Sequence, residues 1–169
     1  MKLEHQVALI TGASHGLGLA TARSLAAEGA AIACLARPGP LKGAFLTLKS
    51  ALPWLIERKR GTIVGIASLG AWVGQPNASA YAAAKWGLRG LLESVALEVK
   101  PYGIRVSIVS PHNMNSAGRA ISSESAERLH HLEPSEVASL IAFLCTAPDH
   151  VAVGNVTVWP VGAGIVSQG

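Results

Sequence analysis

The eight residues Thr11–Gly18, TGASHGLG, constrain the fold of this chain more than any other segment. Val7–Thr11 ahead of them is short, apolar and ended by glycine, the pattern of a strand buried on both faces. An alanine-rich run after them predicts a helix from about Gly16 to Glu28, closed by Gly29. Residues 31–36, AIACLA, then read as a second buried strand. In a strand, glycine turn, helix, strand order, the turn can cradle a dinucleotide. Glycines let the backbone approach a pyrophosphate, and the first turn of the helix offers free N–H groups at a positive dipole end. Gly12, Ser14, His15, Gly16, Leu17 and Gly18 are the candidate phosphate-binding residues.

Pro38-Gly39-Pro40 breaks the chain, and Leu41 to about Glu57 follows with helical spacing of Leu41, Phe45, Leu48, Leu52 and Leu55. Pro53 inside that run is expected to kink or limit the helix. The basic cluster Arg58-Lys59-Arg60 falls where it complements the helix dipole. Thr62–Ala67 is a third buried strand that delivers Ser68 at its C-terminal edge, the side on which open α/β sheets bind ligands. Ser79 is placed to cap a helix from Ala80 to about Lys100. Ile104–Val109 is a fourth strand. Residues 116–133 are polar and weakly periodic, a loop or short helix. Pro134 opens a helix to about Cys145, and Asn155–Trp159 is a fifth strand. The expectation is one α/β domain over residues 1–169, a doubly wound parallel sheet of about five strands.

Chemistry concentrates in Ser68–Lys85. Tyr81 and Lys85 are four apart, so they share a helix face. A phenol normally titrates near pH 10, and a neighbouring ammonium favours the phenolate. Ser68, if brought to the tyrosine, could orient a carbonyl or alcohol oxygen against it. The three residues form an acid/base device.

Other functions find little support. With 14% charged residues and a net charge of +4, the chain has no broad basic face interleaved with aromatics, so nucleic acid is not expected as a partner. Its apolar runs are too short to span a bilayer, and no membrane association is expected. The N-terminus lacks the pattern of a signal peptide, which makes the cytoplasm the expected location. Cys34 and Cys145 read as buried thiols without a disulfide framework. The six histidines show no metal-binding helical pair, so no metal is expected.

These residues together resemble the short-chain dehydrogenases/reductases. TGASHGLG at 11–18 fits the T-G-x-x-x-G-x-G turn of that family, Tyr81-Ala-Ala-Ala-Lys85 fits its Y-x-x-x-K, and Ser68 stands at the family's spacing before the tyrosine. GTIVGIAS, GIRVSIVSP and GNVTVWP resemble its later strands. The resemblance implies hydride transfer between a nicotinamide cofactor and a small-molecule alcohol or carbonyl. Tyr81 would give or take the proton, Lys85 would lower the tyrosine's pKa and hold the nicotinamide ribose, and Ser68 would hold the substrate oxygen. Family members that use NAD usually carry an acid at the end of the second strand. Here Ala36 is followed by Arg37, which can pair with a 2′-phosphate, so NADP(H) is favoured over NAD(H). Pro111, Met114 and Ser116 match positions that contact the nicotinamide end. The family's dimers and tetramers form through helices matching Leu41–Glu57 and Ala80–Lys100, which implies a homo-oligomer.

The chain also departs from the family. Between Arg37 and Leu41 it lacks two strands and their helices, and Pro40 stands where the family has a catalytic asparagine. Pro111-His112 replaces a Pro-Gly. Removing strands 3 and 4 from the family order 3-2-1-4-5-6-7 leaves, on renumbering, the order 2-1-3-4-5. The same departures leave a shortened, non-catalytic relative, binding nucleotide weakly or serving as an interaction subunit, as the alternative reading.

Overall fold

The computed structural model describes residues 2–35, 40–115 and 126–163. Ala36, Arg37 and Ser116, together with most of the polar stretch after Ser116, lie outside the described residues. The chain divides into two compact units, each discontinuous in sequence: residues 1–37, 111–146 and 158–169 in one, 38–110 and 147–157 in the other.

In the first unit, β1 (Val7–Thr11) leads through the glycine turn into α1 (Gly16–Ala27) and β2 (Ala31–Leu35). β1 and β2 pair in parallel, from Val7 opposite Ala31 to Thr11 opposite Leu35. α1 ends in a Schellman motif. Gly29, at φ 95°, donates to the Ala26 carbonyl, and Ala30 N–H reaches back to Leu25 O at 3.1 Å. The buried Leu25 and Ala30 seal that corner with Leu3. Ala8, Ile10 and Ile32 pack against the same cluster, as do Ala142 and Cys145 of α4 (Pro134–Thr146).

The expectation that Val7–Thr11 is buried on both faces does not hold. Ala8 and Ile10 turn toward the helices, whereas Val7 and Leu9, on the opposite face, are 72% and 48% exposed. Both helices in the Leu3–Leu25–Ala30 cluster cover one side of the strand pair only. Cys145 is half-buried rather than buried.

In the second unit, α2 (Pro40–Arg58), β3 (Gly61–Ile66) and α3 (Ser79–Val99) precede β4 (Ile104–Pro111) and β5 (Asn155–Val158). The sheet order is β3-β4-β5, and β3 runs parallel to β4 from Gly61 opposite Ile104 to Ile66 opposite Val109. Apolar residues of α3 at helical spacing, Leu88, Leu92, Val95 and Val99, meet Ile104, Val106 and Ile108 of β4. α2 contributes Leu48, with Leu52, Leu55 and Ile56 around it. α2 continues through Pro53 to Arg58, so the proline does not limit its length. Lys59 follows in the left-handed region, at φ 50°. Arg105 of β4 ties the loop after α4 to the sheet. Its guanidinium donates to the carbonyls of Ala147, Pro148 and Val151 and to Thr62 Oγ1.

The α/β class, the five strands and the parallel pairing are as expected. Of the possible order 2-1-3-4-5, the neighbours 2-1 are found in the first unit and 3-4-5 in the second. The described strands form two sheets, β1-β2 and β3-β4-β5.

Candidate active site

β3 ends where Ser68 begins a 3-10 turn, Leu69–Ala71. The Ser68 hydroxyl accepts from Gly70 N–H at 3.2 Å, and Ala71 N–H donates to Ser68 O at 2.9 Å. The side chain is therefore held by the turn that it caps, and it is half-buried.

α3 starts one residue earlier than its sequence suggests. Ser79 lies inside the helix and Ala78 is the cap residue, because Ala78 O accepts the first intrahelical bond, from Ala82 N–H at 2.8 Å. Tyr81 is thus the third helical residue. Its ring lies over Gly70: a Cβ built there would stand 3.1 Å from Tyr81 Cε1 and 3.7 Å from Ser68 Oγ. Tyrosine and serine flank the same glycine, and the tyrosine remains 48% exposed.

One turn on, Lys85 Nζ donates to the Ile66 carbonyl at 3.0 Å and stands 5.8 Å from the centre of the Tyr81 ring. Burial pushes the Lys85 ammonium below the ordinary lysine range, since desolvation disfavours its charged form. Two glycines let α3 come this close to β3. Gly70 admits the Tyr81 ring, and Gly65 admits Leu92, whose Cδ1 would be only 2.0 Å from a Cβ. Ser68, Tyr81 and Lys85, each predicted from sequence, are brought together within this unit.

In the other unit, the glycine turn has the character that phosphate binding needs. Gly12 and Gly16 take positive φ values of 71° and 54°. A Cβ at Gly12 would meet nothing within 4 Å, so the turn is open at that point. At Gly18 the reverse holds: a Cβ would lie 2.2 Å from Gly12 O, so only glycine lets α1 start this tightly against the turn. His15, the cap residue of α1, makes no side-chain cap bond, and the first turn carries no acid. Its Nδ1 is instead hydrogen-bonded to Ser14 Oγ at 2.9 Å. Leu17 is half-buried. An open glycine turn, uncapped helix N–H groups and no competing carboxylate suit the pyrophosphate of a dinucleotide.

Pro111 is buried at the end of β4, and His112 N–H continues the ladder by donating to Val158 O at 2.8 Å. Met114 is half-buried and bridges Leu132 in parallel. Pro40, where the family has asparagine, is the first residue of α2. Among the described residues no group of three or more His, Cys, Asp or Glu side chains could hold a metal ion. No helix among them is long and apolar enough to cross a membrane.

Sequence reasoning missed the side chains around Ser68. Arg89 and Glu93 continue the four-residue spacing of Tyr81 and Lys85 along α3, a signal that was legible. Arg89 stacks on Trp72, its Cζ 3.5 Å from the ring centre, and donates to the Ala71 carbonyl at 3.3 Å. Trp72 Nε1 donates to Ser110 Oγ at 3.1 Å. No pattern in the sequence marks Trp72 and Ser110 as partners, 38 residues apart. The buried Asn115 was likewise missed; its Nδ2 donates to Glu133 Oε1 at 3.1 Å.

Comparison with known proteins bears on this arrangement. The model of the short chain dehydrogenase family matches residues 6–39 and 40–127, two segments that meet at the break before α2. The trans-4-hydroxycyclohexanecarboxylate dehydrogenase of Sinomonas cyclohexanicum is 36% identical over 109 residues, covering 63% of this chain and 42% of that protein. An uncharacterised oxidoreductase of Staphylococcus aureus (strain MRSA252) is 29% identical over 121 residues, 72% of this chain and 52% of that one. The chain thus spans about half the length of the curated relatives it matches. A metagenomic short-chain oxidoreductase crystallised with NADP superposes with a TM-score of 0.77 at 26% identity, covering 95% of this chain and 99% of that one. With the family model covering most of its length, and with the glycine turn and the Ser68–Tyr81–Lys85 cluster built as described, this chain belongs to the short-chain dehydrogenase family.

Proposed function

We propose that the chain is an NADP(H)-dependent oxidoreductase that interconverts a small-molecule alcohol and the corresponding carbonyl, with residues 1–169 acting as one nucleotide-binding domain. One observation carries the reading: Tyr81 and Ser68 flank Gly70, with the Lys85 ammonium 5.8 Å from the phenol ring. When bound, the nicotinamide cofactor supplies or accepts the hydride. In reduction, the Ser68 hydroxyl donates a hydrogen bond to the substrate carbonyl, and the Tyr81 phenol gives its proton to the developing alkoxide. Lys85 stabilises the phenolate left behind. In oxidation, the tyrosine takes the proton back.

Gly12, Ser14, His15, Gly16, Leu17 and Gly18 would hold the pyrophosphate. Arg37 would pair with the 2′-phosphate, which favours NADP(H) over NAD(H), and the NADP complex of the metagenomic relative agrees with that choice. Pro111, Met114 and Ser116 would face the nicotinamide. The exposed apolar side chains Phe45 and Trp54 on α2 and Trp86 and Leu97 on α3 support a homo-oligomer through these helices. Light scattering that finds only monomer would remove that part of the proposal.

The decisive experiment is Tyr81→Phe. Turnover of a carbonyl panel with NADPH is expected to fall by about 100-fold or more, since a positioned acid/base contributes at least that much. NADPH affinity by calorimetry should hold. Full turnover in the variant would overturn the assignment.

A second reading has its own observation: β1-β2 and β3-β4-β5 are separate sheets in a chain whose family match is interrupted at Gly39–Pro40. It makes the chain a non-catalytic relative that binds nucleotide weakly or serves as an interaction subunit. Calorimetric titration with NADPH and NADP+ separates the two, because tight binding with turnover excludes the second.

A further inference from the structure

We propose that Arg89 is a positioning residue, clamping the turn that presents Ser68 to Tyr81; this deepens the oxidoreductase reading and rests on it for its catalytic consequence. α3 touches the segment around Ser68 at three successive levels. Tyr81 packs on Gly70, Lys85 holds the Ile66 carbonyl ahead of the serine, and Arg89 holds the Ala71 carbonyl behind it. Ala71 N–H in turn closes the turn on Ser68 O at 2.9 Å, so one hydrogen-bonded step separates the guanidinium's anchor from the serine backbone.

Arg89 is itself fixed on two sides. Its Nε donates to Glu93 Oε1 at 2.8 Å, and Glu93 also accepts from Asn155 Nδ2, at the start of β5, at 3.1 Å. Its plane lies on the Trp72 ring at 3.5 Å, and Trp72 is anchored through Nε1 to Ser110 Oγ on β4. The guanidinium therefore links helix, sheet and turn at the one point where Ser68 leaves β3. Only a planar fork can stack on the indole and bond to a carboxylate and a carbonyl together; an ammonium at the end of a lysine cannot. The clamp acts by geometry, and a reacting group displaced by about 1 Å can lose about 100-fold in rate.

The test is a double-mutant cycle in the full chain, with Arg89→Lys, Ser68→Ala and the two combined, assayed for NADPH-dependent carbonyl reduction. Arg89→Lys is expected to lower kcat by about 100-fold while KM for NADPH holds, and to add almost nothing in the Ser68→Ala background. An equal loss in both backgrounds would mean that Arg89 does not act through Ser68, and would overturn the proposal. A wild-type chain without turnover defeats the oxidoreductase reading but still leaves the clamp testable by amide exchange. Gly70 N–H, bonded to Ser68 Oγ, should then exchange faster in Arg89→Lys while Leu92 and Val95 in the core of α3 keep their rates. Unchanged exchange at Gly70, or a uniform acceleration that includes Leu92 and Val95, would overturn the clamp.

Discussion

Gly65 is the point at which the placement of α3 on β3 can be tested quantitatively. A Cβ at this position would lie 2.0 Å from Leu92 Cδ1 and 3.1 Å from both Cδ2 and Cγ. Carbon atoms in contact prefer about 3.5–4.0 Å, so the closest approach falls short by roughly 1.5 Å or more. Leu92 is fully enclosed in the core between α3 and β4 and has little room to swing aside. Gly65→Ala is therefore expected to cost about 1–3 kcal/mol through overpacking, less the roughly 0.5–1 kcal/mol that alanine returns over glycine in a strand. Leu92→Ala alone should cost about 2–5 kcal/mol by leaving a cavity. Combined, the two changes relieve each other, because Leu92→Ala removes all three clashing atoms and the new methyl fills part of the space. The double variant should then be more stable than the sum of the single losses by about 1–3 kcal/mol. Urea unfolding followed by tryptophan fluorescence measures this directly, since Trp54, Trp72 and Trp86, three of the four tryptophans, lie in the same unit. Additivity to within about 0.5 kcal/mol would refute the argument that Gly65 is a glycine because α3 must pass close to it.

Gly18→Ala should destabilise the chain more than Gly12→Ala. The first forces a methyl to 2.2 Å from a backbone oxygen, whereas the second meets nothing within 4 Å and costs only the left-handed conformation, about 1–2 kcal/mol. Thermal melts followed by circular dichroism should rank the variants in that order, and an equal or reversed ranking would count against the reading of the turn. The depressed pKa of Lys85 fixes the sign of one pH effect. Just below the ordinary lysine value of 10.5 the unfolded chain binds the proton that the folded chain has given up, so stability from this group rises with pH through that window. Lys85→Met should flatten the rise in urea midpoint between neutral and strongly alkaline pH, and an unchanged slope would show that other groups cause it.

The elements were legible because their signals are local. Gly29 after an alanine-rich run, Pro134 before an apolar one, and the four-residue step from Tyr81 to Lys85 each encode a feature decided by neighbouring residues. The bounds of all five strands were read to within a residue or two for the same reason. What failed depended on partners elsewhere in the chain. The apolar composition of Val7–Thr11 suggested burial on both faces, but burial depends on what covers a strand, and only one face here is covered. Ser79 has the right chemistry for a cap, yet the turn from Gln75 to Ala78 places the first helical hydrogen bond at Ala78. At the site, Ser68, Tyr81 and Lys85 carry a recognisable spacing, while Trp72, Ser110 and Asn155 come to Arg89 and Glu93 only through the fold.

The division of the chain has a consequence for the order in which it can form during synthesis. Most of the second unit is one continuous stretch, 38–110, whereas the first unit needs α4 to cover α1. About a hundred residues separate the end of α1 from the start of α4, which at ordinary elongation rates is roughly 5–20 s of translation. Leu25 and its neighbours on α1 wait through that interval for Ala142 and Cys145, while the β3–α3–β4 core can close in the meantime. Through that interval the apolar face of α1 is without the α4 side chains that pack against it, and it is open to chaperones and proteases.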